Sequence, residues 1–133
     1  MRLDLSSLLP AGKHDTAKAE AIVTLGYPEV EPILPSLLEW VQDLNWPVAS
    51  VLCPFLASIG TPLAPHIRRI LQTNDDTWKY SLLAGIVAES APLADELSSE
   101  LQRLVSFPTA GEREEELNIH AHEIIMRHGS EDA

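Results

Sequence analysis

The chain has 133 residues, of which 45% are hydrophobic and 22% charged, and its formal net charge at pH 7 is −11. This length is typical of one domain, and the apolar content is enough for a packed core, which excludes a disordered chain. Only nine Lys and Arg residues stand against twenty Asp and Glu, which argues against nucleic acid as a partner because phosphate binding depends on basic side chains.

The N-terminal segment, residues 1–13, lacks the apolar stretch of roughly 7–15 residues that a signal peptide needs. No later segment approaches the roughly 18 uncharged apolar residues of a membrane span. The single cysteine, Cys53, cannot form an intramolecular disulfide, and its apolar neighbours predict an inert core thiol. We therefore expect a cytoplasmic protein with no membrane partner.

Apolar residues recur at three- and four-residue intervals through most of the chain, which predicts an all-α protein. The clearest stripe runs from Val30 to Val41 and predicts a core-facing helix. The whole chain, 1–133, is predicted to be one domain ending in a tail, 129–133. The predicted helices, in order, are residues 16–25, 31–42, 46–59, 62–72, 76–89, 93–106 and 112–128.

Capping residues support these boundaries. Asn45 and Thr61 are the expected N-caps of the third and fourth helices, and Asp75 or Asp76 that of the fifth. Residues 109–112 read T-x-x-E, the spacing of a capping box, at the start of the seventh helix.

The chain also repeats itself at intervals of about 30–34 residues, the spacing of helical repeat proteins. Residues 25–34 align with 59–67, and residues 43–46 recur as 75–78. Because one helix pair cannot bury its apolar face alone, repeated pairs stack and need an end cap. We therefore predict an α-α superhelix of HEAT/armadillo-like helical pairs with a C-terminal capping helix; a plain helical bundle is the alternative. The predicted pairs are residues 16–42, 46–72 and 76–106, and the capping helix is 112–128.

Residues 40–48 carry the pattern W-x-Q-D-x-N-W-P-V. With this motif, the chain resembles a family of small bacterial proteins catalogued only as a domain of unknown function, from about Leu9 to Ile125. Ser81 departs from the family pattern, in which a second aromatic is expected. The resemblance implies a HEAT-like fold and no established activity. Its other matching segments are Lys13-His14-Asp15, Glu31 to Pro35, Leu38-Glu39-Trp40, Pro65-His66-Ile67, Asp75-Asp76 with Trp78-Lys79-Tyr80, and Glu112 to Glu116.

Polar and aromatic residues near the helix junctions and on the second helices are the candidate partner-binding residues. In a solenoid, the second helices line the concave face, which could gather such side chains into one surface. The candidates are His14, Trp40, His66, Arg68, Arg69, Asp75, Asp76 and Lys79.

Each candidate also has a structural interpretation. Lys79 is placed to form a salt bridge with Asp75 or Asp76. Arg68 and Arg69 point about 100° apart on a helix, which favours a solvated face over a shared pocket. Trp46 and Trp78 occupy equivalent repeat positions and are expected to fill junctions between pairs. Trp40 lies beside the main stripe, where an exposed Trp could anchor a partner.

The C-terminal histidines do not have the spacing of a zinc site. His120 and His122 are two residues apart and face different sides of a helix, and no His-x-x-x-His pair exists. A phosphate-binding loop and a nucleophile elbow are also missing. We expect no metal, no cofactor and no enzymatic activity.

The function predicted first is a non-enzymatic module that binds a protein or peptide. An alternative is an acidic immunity or inhibitor protein that neutralises a basic partner, because from Glu89 onward eleven acidic residues stand against three arginines. The plain alternative is that these charges solvate exposed helices. A small enzyme on a HEAT scaffold is less favoured, and the oligomeric state stays open.

Overall fold

A computed structural model of the protein describes residues 5–129. Over this range the chain is all-helical and contains no strand, which confirms the prediction of an all-α protein. The predicted tail, 129–133, lies outside the described residues from position 130 onward. The α-helices of the described range are α1 Thr16–Leu25, α2 Leu34–Glu39, α3 Pro47–Ile59, α4 Ala64–Leu71, α5 Asp76–Gly85, α6 Ala91–Glu96, α7 Ser98–Ser106, α8 Ala110–Glu114 and α9 Leu117–Gly129.

Two predicted helices are each divided in two. The sixth breaks at Leu97 into α6 and α7, and the seventh breaks after Glu114 into α8 and α9. Glu116 has a φ of 59°, a left-handed conformation that cannot continue a right-handed helix. The turn lets Leu117 and Ala121 face the core. A single continuous helix over 112–128 was therefore the wrong prediction, because apolar spacing does not reveal one residue of altered backbone.

Helices two, four and five are shorter than predicted, with 3-10 turns taking part of each range. These turns are Glu31–Ile33 and Thr61–Leu63 before α2 and α4, and Val87–Glu89 after α5. The N-cap predictions for Asn45 and Thr61 are wrong. Trp46 occupies the N-cap position of α3, and Gly60 occupies that of the 3-10 turn before α4. Neither residue makes a side-chain hydrogen bond to the helix start.

Two other predicted caps are confirmed. The Asp75 carboxylate accepts the Trp78 backbone N–H at 3.1 Å and opens α5. At the start of α8, the Thr109 and Glu112 side chains bond each other's backbone amides, a complete capping box.

The first two helix junctions have the same construction. Gly26 after α1 and Gly60 after α3 both have φ near +80°, a region that glycine adopts without steric cost. Each glycine leads to a 3-10 turn that contains a proline, and then to a helix with proline near its start. The third junction differs, because Ser90 has an extended backbone and caps α6 with its side chain.

One buried apolar cluster extends from Ala19 in α1 to Ile124 in α9. α1 packs on α3, α3 on α5, and α9 on α5, α6 and α7. Within residues 5–129, no single helix is long and apolar enough to cross a bilayer. The helical segments 47–59 and 61–71 together have the length and apolar composition of a membrane span, but they are bent by 108° relative to each other.

Candidate functional site

Lys79 is a charged side chain buried between helices and only 2% exposed. The Asp75 cap starts α5 one turn earlier and so directs Lys79 inward. Its Nζ lies 2.8 Å from Glu112 Oε2 and 3.0 Å from Asp76 Oδ1. Since an unpaired buried ammonium would be very unfavourable, these two carboxylates offset the cost of burying this side chain.

Glu112 is 1% exposed and binds three donors from different parts of the chain. The Arg103 guanidinium donates to both carboxylate oxygens, at 3.0 and 2.7 Å, and the Thr109 backbone N–H donates at 2.8 Å. Burial alone would raise the pKa of Glu112, but the bonds from Arg103, Lys79 and Thr109 outweigh it and hold the pKa at about 2. The same bond to Glu112 raises the pKa of Arg103.

Lys79, Arg103, Asp76 and Glu112 together form what we call the ion quartet. It contains two cations and two carboxylates, so its formal charge is zero. It joins α5 to the later helices α7 and α8, and Lys79 and Glu112 are 33 residues apart in the sequence. In this arrangement the quartet can fix the position of the C-terminal helices and present one guanidinium to solvent.

Two clefts lie beside the quartet and meet at Arg103. One has a volume of about 290 Å³, the other about 220 Å³, and both are lined by Leu71, Gln72 and Arg103. We call the joined clefts the Arg103 groove. Its remaining lining residues are Thr73, Asn74, Lys79, Thr109 and Glu112 in the first cleft and Ser99 and Glu100 in the second.

The Arg103 side chain is both fixed and accessible. It is held by Glu112, yet 41% of it remains exposed. It also donates to the backbone carbonyl of Phe107 at 3.3 Å. The groove thus presents a preorganised cation.

The structure brings together some of the candidate residues predicted from sequence. Asp76 and Lys79 lie at the groove in the ion quartet, and their predicted salt bridge is confirmed. Asp75 is used as the cap of α5. Arg68 donates to Glu100 at 2.8 Å, and Glu100 lines the second cleft. Arg69 is exposed on α4.

His14 and Trp40 belong to a different part of the molecule. Trp40 packs against Trp46, with ring centroids 6.1 Å apart. His14 is exposed in the loop before α1, and the neighbouring Lys13 carbonyl accepts the Val48 backbone N–H at 3.1 Å. This loop therefore joins the start of α1 to the start of α3.

His66 is half-buried on α4, and its Nδ1 is buried with no hydrogen-bond partner in the described part of the chain. Trp78 is half-buried, and its Nε1 donates to the Leu38 carbonyl at 3.0 Å.

Sequence reasoning missed Arg103, and it assigned Glu112 only to the capping box. The capping box was a usable signal for where Glu112 lies along its helix. Nothing in the local sequence pairs Glu112 with Lys79, which is 33 residues earlier. That contact depends on the path of the chain between α5 and α8.

Titratable groups elsewhere in the described range make smaller groupings, such as Arg68 with Glu96 and Glu100. His120 Nδ1 lies 3.8 Å from Glu123 Oε1, and its ring packs edge-on against Tyr80. Burial raises the pKa of the Cys53 thiol to about 11. Among residues 5–129, no group of three or more His, Cys, Asp or Glu side chains could hold a metal ion.

The chain was compared with known families and proteins. No curated protein matched it. One family, described as Domain of unknown function (DUF5071), matches residues 8–125, which include the groove and every candidate residue. The chain therefore belongs to the DUF5071 family of domains of unknown function.

Proposed function

We propose that the protein is a non-enzymatic module that binds a protein or peptide, and that the Arg103 groove is its binding site. The observation that carries this proposal is the guanidinium of Arg103, which Glu112 holds by two hydrogen bonds while 41% of the side chain stays exposed where the two clefts meet. A fixed donor loses little conformational entropy on binding, so it favours recognition of a partner.

The groove lining suits an extended peptide. Gln72 and Asn74 are exposed, and their amides can both donate to and accept from a peptide backbone. Phe107 could pack against an apolar side chain of the partner. Because Glu112 and Asp76 already neutralise the two cations of the ion quartet, the groove is expected to recognise shape and hydrogen bonding more than a strongly charged segment.

We further propose that the helices form a HEAT-like superhelix, in which α1, α3 and α5 are the first helices of successive pairs. Two observations support it. The first helices pack on one another in chain order, and Gly26 and Gly60, which follow α1 and α3, both have φ near +80°. Pairs that stack in this way give extended surfaces suited to binding partners.

A blocking substitution tests the groove. Ser99 is exposed and lines the second cleft, so Ser99→Trp should fill it, whereas Ser50→Trp places the same side chain at an exposed site on α3. Partners would be captured from the native host with the wild type and both variants and identified by mass spectrometry. We expect a partner that the wild type and Ser50→Trp retain and Ser99→Trp loses. Equal retention by all three proteins would exclude the groove as the site.

A second candidate function is an immunity or inhibitor protein for a basic partner. The observation that favours it is the exposed acidic run Glu114, Glu115 and Glu116 between α8 and α9. Its expected signature is a basic partner released as the salt concentration rises, because surface charge attraction is screened. A captured partner that resists salt would contradict this function and favour the groove.

A further inference from the structure

The C-terminal helix α9 has two different faces. Leu117, Ala121 and Ile124 are buried on the side that packs on α5, α6 and α7. On the other side, Ile119 is 47% exposed and Met126 is 56% exposed. These two residues are seven apart, about two helical turns, so they lie along one line of the helix surface.

This exposure is notable because α9 ends the described stack. The last element of a helical stack is expected to have a polar outer face, since no further helix covers it. In α9, two large apolar side chains interrupt that face. We call the surface formed by Ile119, His122, Glu123 and Met126 the α9 outer face; His122 and Glu123 are also exposed.

The charge around the α9 outer face is negative. Glu115 and Glu116 are exposed just before the helix, and Glu123 lies between the two apolar residues. The nearby cation Arg127 is already paired with Glu89 at 3.1 Å. The apolar line is therefore bordered by carboxylates whose charge the neighbouring arginine does not offset.

We propose that the α9 outer face binds a basic amphipathic helix of a partner protein, with apolar residues covering Ile119 and Met126 and Lys or Arg residues facing the carboxylates. This inference rests on the proposed function as a protein-binding module and adds a second surface to it. Charge complementarity selects this occupant. A second copy of the chain would bring the same carboxylates face to face in a two-fold contact, and like charges oppose that.

The probe is a synthetic peptide of Leu and Lys, about 18 residues or roughly five helical turns long, with its leucines on one face. Its binding to the full chain would be measured by isothermal titration calorimetry. A scrambled peptide of the same composition keeps the charge and removes the apolar face. We expect the amphipathic peptide to bind more tightly than the scrambled one, and its affinity to fall as salt rises between about 50 and 300 mM.

Substitutions then locate the contact. Ile119→Ser and Met126→Ser should each weaken binding of the amphipathic peptide about tenfold, the loss expected when one apolar side chain is no longer buried. Tyr27→Ser is the matched control, because Tyr27 is a large side chain, 39% exposed, that lies outside both the α9 outer face and the Arg103 groove. It should leave the affinity unchanged. Glu123→Gln should reduce the salt dependence.

Three outcomes would overturn the inference: equal binding of the two peptides, unchanged affinity in both serine variants, or a wild-type dimer that Ile119→Ser dissociates. The last would make a second copy the occupant. None of them affects the capture comparison between Ser99→Trp and Ser50→Trp, so failure at the α9 outer face can be told apart from failure of the proposed function.

Discussion

Glu112 has two structural roles. Its Oε1 accepts the Thr109 backbone N–H, which completes the cap of α8, and its Oε2 binds Lys79 and Arg103. Removing one partner of a buried ion pair leaves an uncompensated charge in a low-dielectric environment. The stability of the region should therefore depend strongly on this one carboxylate.

Replacing the carboxylate by an amide tests that dependence. Glu112→Gln keeps the size of the side chain but leaves Lys79 with Asp76 as its only carboxylate. We expect the free energy of unfolding to fall by about 3 kcal/mol, as for other broken buried pairs, measured by urea denaturation. Glu114→Gln, an exposed neighbour in α8, is the control and should change it by less than about 0.5 kcal/mol. If both substitutions lowered the free energy of unfolding by a similar amount, the buried pair of Lys79 and Glu112 would not be the source of the effect.

The pKa of Glu112 predicts how stability depends on pH. The folded pKa of about 2 lies below the ordinary value of 4.5, so the unfolded chain binds the proton more readily. The contribution of Glu112 is therefore fully present above about pH 5 and is lost as the pH falls from there towards 2. Unfolding free energies of the wild type and Glu112→Gln should converge over that interval. A constant difference between them down to pH 2 would contradict the low pKa.

Helix boundaries were predictable where a local chemical signal sets them. The range of α1 agrees with the prediction, because Asp15 caps its start and Gly26 follows its end. The breaks at Leu97 and Glu116 were not predictable, since each depends on how the helices on either side pack against α9 or the core. Asn45 failed as a cap for a related reason: the Asp43 carboxylate binds its backbone N–H and stabilises a turn before α3.

The start of α8 gives a test at this scale. A Cβ added to Gly111 would clash with Asp76 Oδ2, and moving Asp76 away would weaken the pair that its Oδ1 makes with buried Lys79. Alanine normally stabilises a helix relative to glycine by about 0.5–1 kcal/mol, but Gly111→Ala should instead destabilise by about 1–3 kcal/mol, as overpacking does.

Thermal or urea unfolding of Gly111→Ala measures the effect, and Gly12→Ala is the control, because a Cβ at Gly12 would contact nothing within 4 Å. In an Asp76→Ala background the penalty at Gly111 should disappear. Persistence of the penalty there would mean that Asp76 is not its cause.

At the scale of the whole molecule, the part of the site that could be predicted was the contact between residues of the same helix. Lys79 and Asp76 are three residues apart, so their pair follows from helical spacing. The contacts of Arg103 and Glu112, and the clefts beside them, depend on which helices pack together. A single sequence with repeat spacing does not specify that packing. The all-α class and the family followed from patterns spread along the chain, which do not depend on any one contact.

The continuous core makes a final prediction about cooperativity. A repeat array with weak coupling can unfold in parts, but here one apolar cluster joins α1 to α9, and the ion quartet joins α5, α7 and α8. We expect a single transition in urea.

Far-UV circular dichroism reports all the helices, whereas the fluorescence of Trp40, Trp46 and Trp78 reports only the part of the chain before α6. The two signals should share one midpoint, and Glu112→Gln should move both together. Loss of helical signal before the tryptophan fluorescence changes would show that α6 to α9 unfold separately, and the quartet would then not couple the two parts.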